Sequence, residues 1–315
     1  MANTYGKVSG TFQEADEVYA KASGTWQDVD EVYAKASGTW ELVFSSFEAT
    51  SFTTLSSGSG TFSVPAKANA IHVQYAVGGG GGAAGGVSYD KAGGESAGAG
   101  GGSGAYVSDQ IYSVTEGETI SYSIGSGGAG GNQTANFGQP KIADAGTNTT
   151  LSGSTTGAIF TLGAGGGSSG TGGGVQGPLR TNTAGTAGSA TINASPVTSG
   201  NFRDSDGTTK SVTTNTSGPV GSFNQSGNGA AGDLTGSGNC SGDNCQIGGF
   251  DGGDSYAGNI SGGAGSPVGG STGGSDGTRG SGGGGGGAQY GSESTTGHGG
   301  DGGNGEIRYR FLKIN

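Results

Sequence analysis

Gly297-His-Gly-Gly-Asp-Gly-Gly-Asn-Gly305 decides the fold. Glycine fills two of every three positions, and His298, Asp301 and Asn304 fill the third. A three-residue repeat fits neither the α-helix, with about 3.6 residues per turn, nor the strand, with a period of about 2. It fits the extended left-handed helix of about three residues per turn, which has no internal hydrogen bonds. In that conformation two edges are bare backbone and one edge carries His298, Asp301 and Asn304. Bare edges let neighbouring chains approach closely. Their N–H and C=O groups must then be met by neighbours or by water.

The same signature recurs outward from this stretch. Gly274, Gly277, Gly280, Gly283 and Gly286 keep one period-three register. Strand-like segments alternate with glycine runs. Ile71, Val73, Tyr75 and Val77 alternate with His72, Gln74 and Ala76, and lead into Gly78–Gly82. Residues 52–64, 106–112, 120–124 and 158–162 read as further strands, as does the closing Ile307, Tyr309, Phe311 alternation. Connections this long are uncommon in compact domains unless they are functional or disordered. The expected fold is mainly β, with almost no α-helix: a β-sandwich-like domain whose glycine loops project from one end and pack as polyglycine-type extended helices.

Glycine supplies 78 of 315 residues, proline only 6, and hydrophobic residues 30%. Collagen and proline-rich linkers are excluded. Disorder is the competing reading for the second half. The formal net charge is −11, and the Lys and Arg residues beyond position 100 are dispersed, which argues against nucleic-acid partners. No apolar run of about 18 residues exists, so no membrane insertion is expected. Met1-Ala2-Asn3-Thr4 opens without an apolar leader segment.

The first 47 residues are a repeat. Val18-Tyr-Ala-Lys-Ala-Ser-Gly-Thr-Trp26 recurs as Val32-Tyr-Ala-Lys-Ala-Ser-Gly-Thr-Trp40, and a diverged copy lies around Tyr5 and Phe12. Phe12, Trp26 and Trp40 are in register, as are Tyr5, Tyr19 and Tyr33. The spacing suits two short strands and two tight turns per repeat. A turn at Ser23-Gly24 sets Lys21 opposite Trp26 and Val18 opposite Val29. A second turn at Asp30-Glu31 would set Lys35 against Trp26 from the other side, giving a β-meander with cross-strand cation–π stacks. Phe12, Tyr19, Trp26, Tyr33 and Trp40 are its expected core. A thin meander is marginal alone, so partners are expected.

The repeated Tyr-Ala-Lys-Ala-Ser-Gly-Thr-Trp block resembles the short Trp-containing repeats of bacteriophage tail and fibre proteins. Gly60-Thr-Phe-Ser-Val-Pro65, Ile71–Val77 with its glycine run, Val114-Thr-Glu-Gly-Glu-Thr-Ile-Ser121, Gly125–Gly131 and Gly302-Gly-Asn-Gly-Glu-Ile-Arg-Tyr309 resemble the glycine-rich domain of phage tail fibres. In composition and register the glycine runs are also similar to the distal adhesin of T-even-like phages, whose glycine helices pack in a lattice. The resemblance implies a receptor-binding protein of the virion, synthesised in the host cytoplasm. Residues 1–47 would attach to other tail or virion proteins. Residues 48–315 would form the glycine-rich domain, with loops at about 78–104, 125–131, 163–177 and 226–305. A homotrimer and a host surface glycan or outer-membrane protein are the implied partners. The alternative is a virion structural component, such as a decoration, cement or tail assembly protein, without host contact. A polysaccharide depolymerase ranks last, because carboxylates are thinly spread and no β-helix period is evident.

Chemistry-bearing motifs are few. GxGxxG matches are expected by chance at this glycine content, and no P-loop occurs. His72 lies on the polar face of its strand and is expected to be solvated. Asp204-Ser-Asp-Gly207 begins like a calcium loop but lacks the later ligands, so turn residues are the better reading. Cys240 and Cys245 are two ligands, too few for a zinc site, and either a disulfide or free thiols fits them. No enzyme activity, metal or cofactor is expected. Phe202, Phe223, Phe250, Tyr256, Tyr290 and His298 are the host-recognition candidates. The aromatics either plug gaps between glycine helices or contact a partner at the tip.

Overall fold

The computed structural model describes residues 5–8, 11–14, 19–22, 25–29, 31–36, 39–85, 98–131, 141–170, 182–212, 225–227, 238–241, 244–247, 251–254, 260–266, 273–283, 288–290 and 295–315. These are strands and extended segments, with no helix among the described residues.

The repeats form β1 (Tyr5–Val8), β2 (Thr11–Glu14), β3 (Tyr19–Ala22), β4 (Thr25–Asp28), β5 (Glu31–Ala36) and β6 (Thr39–Ser45). Within each repeat the two strands pair antiparallel, with Val8 opposite Thr11, Ala22 opposite Thr25 and Ala36 opposite Thr39. Lys7 faces Phe12, Lys21 faces Trp26 and Lys35 faces Trp40. The expected pairing of Lys21 with Trp26 is therefore present and recurs in all three repeats, while the Ser-Gly residues between the strands lie outside the described residues. The second expected turn differs: Glu31 is already in β5, opposite Ser45, and Lys35 faces the tryptophan of its own hairpin. The described ladders join strands within repeats, and the Val18 side of the expected Val18–Val29 pair lies outside the described residues.

The glycine-rich region contains β7 (Thr53–Leu55), β8 (Ser59–Ser63), β9 (Ala70–Val77), β10 (Tyr106–Ser113), β11 (Thr119–Ser123) and β12 (Lys141–Ile142). Next come β13 (Thr149–Gly153), β14 (Gly157–Leu162), β15 (Ser169–Gly170), β16 (Asn182–Thr183), β17 (Ala190–Ile192), β18 (Asn201–Arg203) and β19 (Thr209–Ser211). The last are β20 (Gln225–Gly227), β21 (Gly238–Ser241), β22 (Asn244–Ile247), β23 (Ala288–Tyr290), β24 (Thr295–Thr296) and β25 (Glu306–Leu312).

Two antiparallel five-stranded sheets, β20-β10-β9-β25-β7 and β17-β14-β13-β11-β8, face each other. The Ile307, Tyr309, Phe311 alternation points one face of β25 into the space between them, where Ile71, Val73, Val107, Tyr112, Ile120, Leu151, Phe160 and Leu162 meet. Full burial of such a side chain stabilises by about 1.5–3 kcal/mol. Phe62 of β8 stacks on Tyr309 of β25 across the sheets, centroids 4.5 Å apart and planes 11° from parallel. Residues 52–64 split into β7 and β8, which belong to different sheets.

β9 is covered on both faces. Its second face packs under Ala49, Phe202, Val212 and Leu312, a separate small core. His72 is consequently buried, 9% exposed, where solvation was expected. Period-two alternation marks one apolar face, but it cannot show that another element covers the polar one.

Candidate functional site

The described glycine segments that adjoin the sandwich strands leave or enter the sandwich at one end. Residues 78–85 continue from β9, 98–105 lead into β10, 125–131 follow β11, and 143–148 lead into β13. Residues 163–168 follow β14, 184–189 lead into β17, and 297–305 lead into β25.

Among the described residues, the segment 78–85 is bonded to six others. Its N–H groups donate in three rows: Gly78, Gly81 and Ala84 to Ala105, Gly102 and Ala99; Gly79 and Gly82 to Thr147 and Asp144; Gly80 and Ala83 to Gly303 and Gly300. Its carbonyls accept from three other segments: Gly79 and Gly82 from Gly165 and Ser168, Gly80 and Ala83 from Gly128 and Gly131, and Gly81 from Gly283. These donor–acceptor distances span 2.8–3.1 Å. Every third residue addresses the same neighbour, as a three-residue helix requires. Glycine is obligatory here because the neighbours are backbone. A Cβ on Gly80 would lie 1.9 Å from the Ser281 carbonyl oxygen, and one on Gly102 would lie 2.0 Å from that of Thr186.

The rim obeys the same period. His298, Asp301 and Asn304 are exposed, while of the glycines between them Gly299, Gly300 and Gly303 are buried and Gly302 is half-buried. The rim side chains also close the lattice. Asn304 Oδ1 accepts the Gly127 N–H at 2.9 Å, and Asp301 Oδ1 accepts that of Gly130 at 2.7 Å. Asp276 Oδ1 accepts from Asp301 N–H, Asp251 from Gly265, Asp254 from Gly262, and Asn148 from Ala164. These N–H groups of the lattice thus receive a side-chain acceptor.

A family model described as a glycine-rich domain matches residues 54–312. The chain belongs to the glycine-rich domain family. A search of curated proteins finds nothing that matches it. The glycine-rich domain here comprises both sheets and the whole described lattice, closing with β25.

Two features of the domain depart from its sequence periodicity. The register from Gly274 to Gly283 does not make one helix. Arg279 and Gly280 adopt φ of 44° and 76°, and the chain reverses between the segments 273–278 and 281–283. The span 226–305 is not loop throughout, since β21–β24 form a four-stranded sheet within it.

At the opposite end of β9 and β25 the chain enters the domain. Ala49 N–H donates to the Arg203 carbonyl and Thr50 N–H to that of Phe311. Arg203 Nε lies 2.8 Å from Glu48 Oε1. Beside this strap lies a buried ionic row. Asp109 Oδ1 is 3.1 Å from His72 Nε2, Arg310 Nε donates to His72 Nδ1 at 3.2 Å, and Arg310 Nη1 donates to Asp204 Oδ1 at 2.5 Å. Lys210 also pairs with Asp204. The Arg310 guanidinium lies 4.6 Å from the Phe52 ring centroid and 5.6 Å from that of Phe202. Burial alone would raise the Asp204 carboxyl, but the hydrogen bonds from Lys210 and Ser205 and the Arg310 charge bring it down to about 2. Both nitrogens of His72 are engaged, and the row ties β9 and β25 to the β18–β19 pair through Asp204. Asp204 and Asp206 form the expected turn, with Gly207 at φ 73°.

Phe202 leaves the surface candidates: it is 6% exposed in the small core under β9. His298 stays a surface residue at the start of its lattice segment. Tyr290 lies on β23, and Phe223, Phe250 and Tyr256 lie outside the described residues. Phe12, Tyr19, Trp26, Tyr33 and Trp40 fall one on each of β2 to β6. Tyr33, expected in a repeat core, is 41% exposed. The rim acceptors Asp301 and Asn304 were visible as the third residue of the glycine repeat, but their partners at Gly130 and Gly127 lie far away in sequence.

Proposed function

We propose that this protein is a phage tail fibre or receptor-binding protein that binds the virion through residues 1–47 and the host surface through the far end of its glycine lattice. The observation that carries the reading is polarity. The repeats join the domain at residues 47–50, against Arg203 and Phe311, whereas the lattice grows from the other end of the same strands at Val77 and Glu306. Attachment and display are thereby separated by the length of the sandwich. Dense backbone packing fixes the lattice before contact, so less ordering entropy is lost on binding. The partner is a surface glycan or an outer-membrane protein, and multivalency on one virion multiplies weak contacts. Isolated two-stranded hairpins are marginal in water, and Tyr33 is exposed, so the repeats are completed by partners, consistent with a homotrimer.

The test uses labelled full-length protein on intact bacteria, with competition against adsorption of a phage carrying it. Saturable binding that blocks adsorption supports the reading. Folded protein that binds no susceptible host refutes it and leaves a structural virion component.

A further inference from the structure

Cys240 lies on β21 and Cys245 on β22, and the two are direct partners in the antiparallel register. Residues 242 and 243 separate the strands, with Ser241 opposite Asn244. In a hairpin with a two-residue connection the closing pair is hydrogen-bonded, and the next pair is of the non-hydrogen-bonded kind. The Cα atoms of such a pair approach to about 4.5 Å, inside the roughly 4.4–6.8 Å window that a disulfide spans. Cross-strand partners share one face of a sheet. The register extends across β22 to β23, where Cys245 is opposite Tyr290, and on to β24.

We propose that Cys240 and Cys245 are an oxidation site, forming a cross-strand disulfide when the protein meets an external disulfide oxidant. One cysteine thiolate attacks the oxidant's S–S bond, giving a mixed disulfide and releasing one thiolate. The other cysteine thiolate attacks the protein sulfur of that mixed disulfide, forming the Cys240–Cys245 bond and expelling the second. Two protein thiols and one oxidant disulfide yield one protein disulfide and two small thiols. The bond closes the β21–β22 hairpin, the first two strands of the sheet inserted in the glycine-rich region. This inference is independent of what the domain binds.

The test incubates native full-length protein with oxidised glutathione, quenches with acid, unfolds it, and alkylates with N-ethylmaleimide before intact-mass analysis. The expected product is a monomer without alkyl or glutathione adducts, which takes up two alkyl groups only after reduction. Cys240→Ser should instead leave Cys245 alkylated or glutathionylated. Wild-type protein with two alkyl groups, two glutathione adducts or an intermolecular disulfide would overturn the proposal.

Discussion

Gly81 donates its N–H to the Gly102 carbonyl at 2.8 Å, and a Cβ placed on Gly101 would lie 2.1 Å from the Gly81 carbonyl oxygen. The obstacle is backbone on both sides, so no side chain can swing away. Gly101→Ala should therefore lower stability by at least about 3 kcal/mol, at the upper end of overpacking costs. Ala145→Ser, at an exposed lattice position, should change it by less than about 0.5 kcal/mol. Urea denaturation of both variants checks the contrast.

Removing a rim acceptor should cost less. Asp301→Ala deprives the Gly130 N–H of its partner, but the position is exposed and water can replace the carboxylate. The expected loss is about 1 kcal/mol, with Asp301→Asn close to wild type because it keeps an acceptor oxygen. Thermal denaturation of the two variants measures the difference.

Glu118 ties two turns together at the end of the sandwich away from the lattice. Its carboxylate accepts from Thr115 N–H, Thr155 N–H, Thr156 N–H and the Thr156 hydroxyl. Burial raises its pKa, and these four donors outweigh that and lower it. Glu118→Gln turns an N–H₂ group towards donors and should cost about 3 kcal/mol. Denaturant midpoints at neutral pH test it.

Acid should loosen the junction through Asp204. Its folded pKa is depressed from 3.8 to about 2, so the stabilisation is present above about pH 4 and is lost as pH falls through 2. The shift corresponds to about 2 kcal/mol. Asp204→Asn should remove this acid-dependent component. It should also destabilise at neutral pH by about 3 kcal/mol, since Arg310 loses its charged partner in a buried site. Stability measured across pH 2–7 in both proteins separates the two effects.

Much of this architecture was legible in the chain. Alternation found β9, β10, β11, β14 and β25, and the period-three glycine register found the extended segments and the exposed edge of His298, Asp301 and Asn304. Contacts between distant segments left no local trace. His72 reads as a polar-face residue until Phe52, Asp109 and Arg310 converge on it. Phe202 reads as a loop aromatic until β18 folds beneath β9. The Gly274–Gly283 register continued arithmetically through a reversal because glycine suits the turn at Gly280 as well as the lattice.

The glycine run after β9 is an ordered extended helix bonded to the segments around it. Hydrogen exchange of the amides of residues 78–84 in the full-length protein tests it most directly. They should exchange at least about 1,000-fold more slowly than in an unstructured peptide, approaching global unfolding, with protection continuous into β9. Exchange at the unstructured rate across these residues, while β9 and β25 stay protected, would contradict it.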